Sequence, residues 1–272
     1  MAMNSTRRKL AIATWSAPSE GNIYGKLTVD AEQAIAFCEH LRRTTGEKVS
    51  ITHLVGKAIA MALKAAPGLN GRILFDRYIP HDTVDVTFLV ALEEGADLAK
   101  AKVNNADQLS VDGIAAALRA RAEKLRGGKD PDFEKSKGTL RMLPVMLIRP
   151  LVWLIGWLAS SAGLSIPALG VERFPFGSCI VTSVGMFGLD EGYAPPTPFA
   201  RVPVLILVGA VKPVPAVVGG EVAIRNQLTV TATVDHRFVD GMELGRLAKI
   251  VRAVLEDPWT QLGVERQVTI EG

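Results

Sequence analysis

The sequence predicts an α/β domain, a mixed β-sheet with helices packed against it. Three observations carry this expectation. Strand-like and helix-like segments alternate, but without the regular rhythm of a doubly wound sheet. Three strand-like runs, "SCIVTS", "VPVLILVGAV" and "QLTVTATVD", crowd the last third of the chain. The chain has 272 residues, 48% of them hydrophobic and 22% charged, which suits one large domain or two small ones and a substantial core.

Taken in order, "KLAIATW" and "NIYGKLTVD" are expected as short strands. Asp30 with Gln33 has the spacing of a capping box, opening a helix whose apolar face is Ala34, Ile35, Cys38 and Leu41 and whose end is Gly46. A second helix carries Ile51, Leu54, Val55, Ala58, Ile59 and Ala62 on one face and stops at Pro67-Gly68. "VDVTFLVAL", from Val84 to Leu92, is too short and apolar for a surface helix and is expected as a buried strand. "SVDGIAAALRARAEKLRGG" forms a third helix closed by Gly127-Gly128. The last helix, "GMELGRLAKIVRAVLED", turns Met242, Leu244, Leu247, Ile250, Val251 and Leu255 inward.

Several function classes are disfavoured. A net charge of +3, with no zinc-finger spacing, RNA-binding signature or dense basic helix, gives no case for nucleic acid. The two cysteines, Cys38 and Cys179, make neither a CxxC nor a metal spacing and read as small buried hydrophobes in a reducing compartment. No metal is expected. The opening "MAMNSTRRKLAIATW" lacks a long apolar core with a small-residue cleavage site, so a cytoplasmic location is expected.

One short stretch concentrates titratable groups. "VDHRFVDGME" follows a strand-like run and precedes the last helix. His236 is delivered at a strand end, and Asp240 stands near the N-cap of the helix that Gly241 opens. A carboxylate there can hold a nearby imidazole in one tautomer, and Gly241 permits close backbone approach. Two readings remain open on the residues alone, a histidine that caps the following helix and a general base. The other histidines have plainer settings: His53 early in the second helix, His40 at a polar helix end, His81 after a proline.

"DHRFVDG" resembles the active-site motif of the catalytic domain of the dihydrolipoyl acyltransferases of 2-oxo acid dehydrogenase complexes; chloramphenicol acetyltransferases share the H-x-x-x-D-G part. "TVDAEQAIAFCEHLRRTTGEKVSITHLVGKAIAMALKAAPGLNG" and "CIVTSVGMFGLDEGYAPPTPFARVPVLILVGAVKPVP" resemble further segments of that family, in the same order. The resemblance implies a chloramphenicol-acetyltransferase-like two-layer sandwich forming a homotrimer, with active sites between subunits. It also implies an acyltransferase using a thioester, acyl-coenzyme A, and a thiol or hydroxyl acceptor. His236 matches the general base, and Asp240 the acid that supports the histidine loop. Thr182 matches the hydroxyl that binds the oxyanion, with Ser183 taking that role if the alignment slips by one. On its own, Thr182 is equally a plain strand threonine.

Three departures from the family matter. The resemblance begins within the first dozen residues, so no lipoyl lysine is proposed in this chain; either a lipoyl-bearing protein acts in trans or a different acceptor is used. After "VDVTFLVAL" the family's usual continuation is replaced by "EEGADLAKAKVNNADQLS". Residues 139–173, with "MLPVMLIRPLVWLIGWLASSAGLSIPALG", are an insertion within a domain spanning 1–272. Arg149-Pro150 and Ser160-Ser161 leave apolar pieces shorter than a membrane span, so a hydrophobic helical hairpin broken at Pro150 or after Ser161 is expected. It packs on its own domain or a trimer neighbour, or lies on a membrane surface or hydrophobic partner, making the protein peripheral there. The alternative to an enzyme is a non-catalytic trimeric scaffold, or a membrane-associated interaction protein, that keeps the fold. Trimers building a larger cage is a further expectation. An antibiotic acetyltransferase fits H-x-x-x-D-G but less well the flanking "DHR" and "VGMFG".

Overall fold

A computed structural model describes residues 21–92, 97–126 and 144–266. The strand expected at "KLAIATW", the closing glycines 127 and 128 and the start of the insertion lie outside these residues.

Six strands form one mixed sheet: β1 (Asn22–Asp30), β4 (Val86–Leu92), β5 (Asp97–Val103), β6 (Cys179–Ser183), β7 (Val204–Val218) and β8 (Glu221–Asp235). Their spatial order is β1-β8-β7-β6-β4-β5. The two pairs that flank β6 are parallel, and β1-β8, β7-β8 and β4-β5 are antiparallel. Two four-residue strands, β2 (Gly71–Leu74) and β3 (Arg77–Pro80), make a separate hairpin.

One face of the sheet carries the helices α1 (Glu32–Thr45), α2 (Ile51–Ala65), α3 (Val111–Arg126) and α5 (Gly241–Glu256), with the short α6 (Pro258–Leu262) at the end. Alternation along each strand decides this face: Val181, Ile206, Val208, Val230 and Val234 point into the helical core with Leu54, Leu63, Ile114 and Leu255. Ile180 and Leu205 point the other way, under Phe199, Ala200 and Val202.

Several local expectations are corrected. No capping box forms at Asp30, which ends β1; Ala31 is the N-cap of α1, and the Asp30 carboxylate instead accepts from the Glu32 N–H at 2.9 Å. Met242 is 66% exposed, because it sits in the first turn of α5, before the helix reaches the sheet. The insertion helix α4 (Val145–Gly156) runs straight through Pro150 and continues as a π-helical turn, Trp157–Ser161. Beyond Ser161 the chain returns through a bridge, Ile166 with Val171, and a 3-10 turn, Pro167–Leu169, so no second α-helix completes a hairpin. Pro150 survives in α4 because it falls in the second turn, where a single carbonyl, that of Met146, loses its partner.

His53 is a capping residue. Its Nδ1 accepts from the Ser50 N–H at 3.0 Å, a geometry that requires a neutral ring. Burial, and then the Arg42 charge, push its pKa down to about 4; burial, and then Arg72, do the same for His81. Both groups bind fewer protons folded than unfolded, so the stability they contribute is complete above pH 6.5 and is lost as pH falls toward about 4. Each contributes up to about 3 kcal/mol. His53→Gln keeps an acceptor at the same helix position. It is expected to remove about half of the acid-induced fall in denaturation midpoint over that window. Urea titrations at stepped pH check this, and an unchanged slope would reject it.

Candidate active site

The loop after β8 is built to hold its shape. The His236 N–H donates to the Gly21 carbonyl at 3.1 Å, tying the loop to the start of β1. The Arg237 guanidinium grips the Asp235 carboxylate through Nε at 3.0 Å and Nη2 at 2.6 Å, while the Arg237 backbone N–H donates to the same group at 2.9 Å. Phe238 meets the Tyr78 ring edge-on at 6.2 Å, and Val239 is buried in the helical core. Between these anchors the His236 side chain is exposed.

Asp240 is the N-cap of α5. Its Oδ1 accepts from the Met242 N–H at 2.9 Å and the Glu243 N–H at 3.0 Å, and Glu243 closes the capping box on the Asp240 N–H. The carboxylate is thus committed to the helix end, where it accepts from two amide donors. Its effect on His236 runs through the loop's shape; the direct hold on the imidazole expected from spacing is replaced by this cap. Gly241 is the first residue of α5, with open space where a side chain would stand.

Thr182 and Ser183 close β6, on strands rather than in this loop. Thr182 is level with Leu207 on β7, and Leu207 is level with Thr231 on β8. His236 lies five residues beyond Thr231 and two strands away. Those steps amount to about 16 Å along the strands and 10 Å across them, a separation of about 19 Å. A base and an oxyanion donor acting on one carbonyl must stand within a few ångströms of it. A single chain therefore brings His236 and Asp240 together and leaves Thr182 apart. After β6 the chain turns through Gly185–Phe187, with Met186 and Phe187 exposed.

Neither cysteine competes as a nucleophile. Burial pushes the Cys38 thiol up to about 12 and raises Cys179 further, so both stay protonated. Among the described residues no group of three or more His, Cys, Asp or Glu side chains could hold a metal ion.

The sequence reading missed the Asp235–Arg237 clamp and the Tyr78–Phe238 contact. The aspartate and arginine that flank His236 were a visible signal for the first; nothing local announced the second.

The family model for the 2-oxoacid dehydrogenases acyltransferase (catalytic domain) matches residues 2–141 and 168–262. The chain belongs to that family. The unmatched stretch within this acyltransferase domain, 142–167, falls inside the expected insertion and contains α4 and its π-helical turn. Among curated relatives, the probable dihydrolipoyllysine-residue succinyltransferase component of the mitochondrial 2-oxoglutarate dehydrogenase complex of Schizosaccharomyces pombe is 25% identical over 228 residues, 82% of this chain and 40% of that protein. The dihydrolipoyllysine-residue acetyltransferase component of the acetoin cleaving system of Bacillus subtilis is 26% identical over 78% of this chain and 43% of that protein. The chain thus spans about two-fifths of the length of these relatives. Among solved structures, a probable dihydrolipoamide acetyltransferase from Listeria monocytogenes superposes with a TM-score of 0.67 at 19% identity, covering 97% of this chain and 92% of that one. A chloramphenicol acetyltransferase superposes at 0.52 with 13% identity, covering 93% and 95%. The acyltransferase domain therefore has the chloramphenicol-acetyltransferase-like fold expected from its sequence.

Proposed function

We propose that this domain transfers an acyl group between the thioester of coenzyme A and a thiol or hydroxyl acceptor, at a site shared by two copies of the chain. The strand register carries the reading: His236 and the Thr182 hydroxyl are both present but about 19 Å apart in one chain, so a neighbour must supply one of them. Exposed apolar groups support a neighbour at two places. One is the turn after Thr182, with Met186, Phe187 and Leu189; the other is the far end of the β7–β8 hairpin, with Val217, Val222 and Ile224. A long exposed hairpin carrying such residues is an aggregation hazard unless a partner covers it. The homotrimer implied by the family resemblance supplies that cover. A larger cage is the next level, as in the cubic core of the pyruvate dehydrogenase complex, whose chain shares this fold with a TM-score of 0.67.

The chemistry follows from the groups present. The unprotonated ring nitrogen of His236 takes the proton of the acceptor thiol or hydroxyl. The freed sulfur or oxygen attacks the thioester carbonyl, and the Thr182 hydroxyl donates a hydrogen bond to the resulting oxyanion. Collapse expels the coenzyme A thiolate, which recovers the proton from the imidazolium. One oxyanion donor contributes about 3 kcal/mol to such a step. Asp240 and the Asp235–Arg237 clamp position the base without touching substrate. Dihydrolipoyl groups, named in the relatives, are the first acceptors to try.

Purified protein incubated with acetyl-, succinyl- and branched acyl-coenzyme A and free dihydrolipoamide is expected to give acylated dihydrolipoamide at a rate proportional to trimer. Coenzyme A binding by calorimetry separates this reading from the scaffold alternative. A trimer that binds no coenzyme A and transfers no acyl group would be a scaffold.

A further inference from the structure

Beyond acyl transfer, and independently of it, we infer that α4 and the tip of the β2–β3 hairpin together form a docking ridge for an anionic membrane surface. Helix α4 is apolar apart from Arg149. Ile148 and the following Ala159 are buried, and the Ser160 hydroxyl donates to the Phe199 carbonyl at 3.1 Å, which fixes the helix to the domain. The opposite side of the helix is uncovered: Met146 is 87% exposed and Trp153 57%, and Leu147 and Leu154 are about half exposed. An amphipathic helix of a soluble domain presents polar residues there.

The hairpin extends this side. Leu74 pairs with Arg77 across a two-residue turn in which Phe75 and Asp76 both have positive φ, 49° and 58°. Such a turn normally takes Asn-Gly or Asp-Gly, and a phenylalanine in the left-handed region is strained. The strained backbone presents Phe75 to solvent at 77% exposure, with its ring edge-on to Trp157 at 5.9 Å. Trp157 stands one helical turn beyond Trp153, so Phe75, Trp157, Trp153 and the α4 apolar side chains form one ridge. Residues 142–167 are not matched by the family model, so the helical part of the ridge lies outside what that model describes.

Charge selects the occupant. The Arg201 guanidinium lies over the Trp153 ring at 5.3 Å, Arg149 is exposed on α4, and Arg77 is exposed beside Phe75. Among the described residues of the ridge Asp76 is the carboxylate, and Glu172 is paired with Lys100 and Lys102, each at 3.2 Å. Tryptophan and phenylalanine interleaved with guanidinium groups suit the headgroup layer, where rings enter the acyl boundary and cations meet anionic phosphates. A second copy seated ridge-to-ridge across a two-fold axis would bring like arginines together. No helix among the described residues is long and apolar enough to cross a bilayer, so the contact is peripheral.

The test is flotation of the full chain with phosphatidylcholine vesicles, with and without about a third phosphatidylglycerol. The protein is expected to rise with the phosphatidylglycerol vesicles and stay behind with pure phosphatidylcholine. Trp153→Glu with Leu154→Glu should lower the bound fraction at least about tenfold while acyl transfer and circular dichroism stay unchanged. Arg149→Glu should lower it several-fold, and added salt should weaken the parent. Failure to float with phosphatidylglycerol vesicles, or floating that survives the double substitution, overturns the inference. So does a double substitution that changes the oligomeric mass instead, which would show that another copy covers the ridge.

Discussion

His236→Ala is expected to lower acyl transfer by about 10²–10⁴-fold while leaving the secondary structure and the oligomer intact. The side chain is exposed, and its loop is held by groups that the substitution leaves in place: the backbone bond to Gly21, the Asp235–Arg237 clamp, the Phe238 contact and the Asp240 cap. Removing the imidazole therefore deletes the proton acceptor and little else. The decisive measurement is steady-state transfer from acyl-coenzyme A to dihydrolipoamide, with coenzyme A affinity read separately. A loss in kcat with affinity retained marks the base. A wild-type rate would end the assignment.

The second large effect concerns Thr182. Thr182→Val keeps the strand shape and removes the hydroxyl, and is expected to cost about 10²–10³-fold in kcat. Ser183→Ala should be close to wild type; if the two results are exchanged, Ser183 is the donor. The more telling experiment combines defects. When His236→Ala and Thr182→Val chains are co-expressed in equal amounts, one interface in four joins an intact histidine to an intact threonine. Such mixed trimers should recover about a quarter of wild-type activity, although each parent is nearly inactive. A site contained within one chain would give no recovery, and that outcome would remove the shared-site reading while leaving the base assignment standing.

The parts of the fold that were legible in the sequence are those where periodicity and length agree. Strands β1, β4, β6, β7 and β8 read as apolar runs bounded by turns, and α1, α2, α3 and α5 as amphipathic segments. Strand β5 was hidden because its inward positions Ala99 and Ala101 are small and its outward ones are lysines, so "DLAKAKV" resembles a helix or loop as much as a strand. Strands β2 and β3 are four residues each, joined by Phe75-Asp76, which lacks any hairpin signature. Asp30 and Pro150 show the limit of local rules: one sits a residue too early to cap, and the other is carried through a helix that tertiary packing secures. At the site, the histidine, its loop and the capping aspartate were readable because they are neighbours in sequence. The distance from Thr182 to His236 was not, since it depends on which strands pair and in what register.

On the shared-site reading proposed above, that distance makes catalysis a property of association. A lone protomer would then hold both functional groups and no complete site, so at concentrations below the proposed trimer's dissociation threshold specific activity should fall away with the population of assembled rings. Turnover measured across a dilution series would then report the affinity between protomers without any other probe.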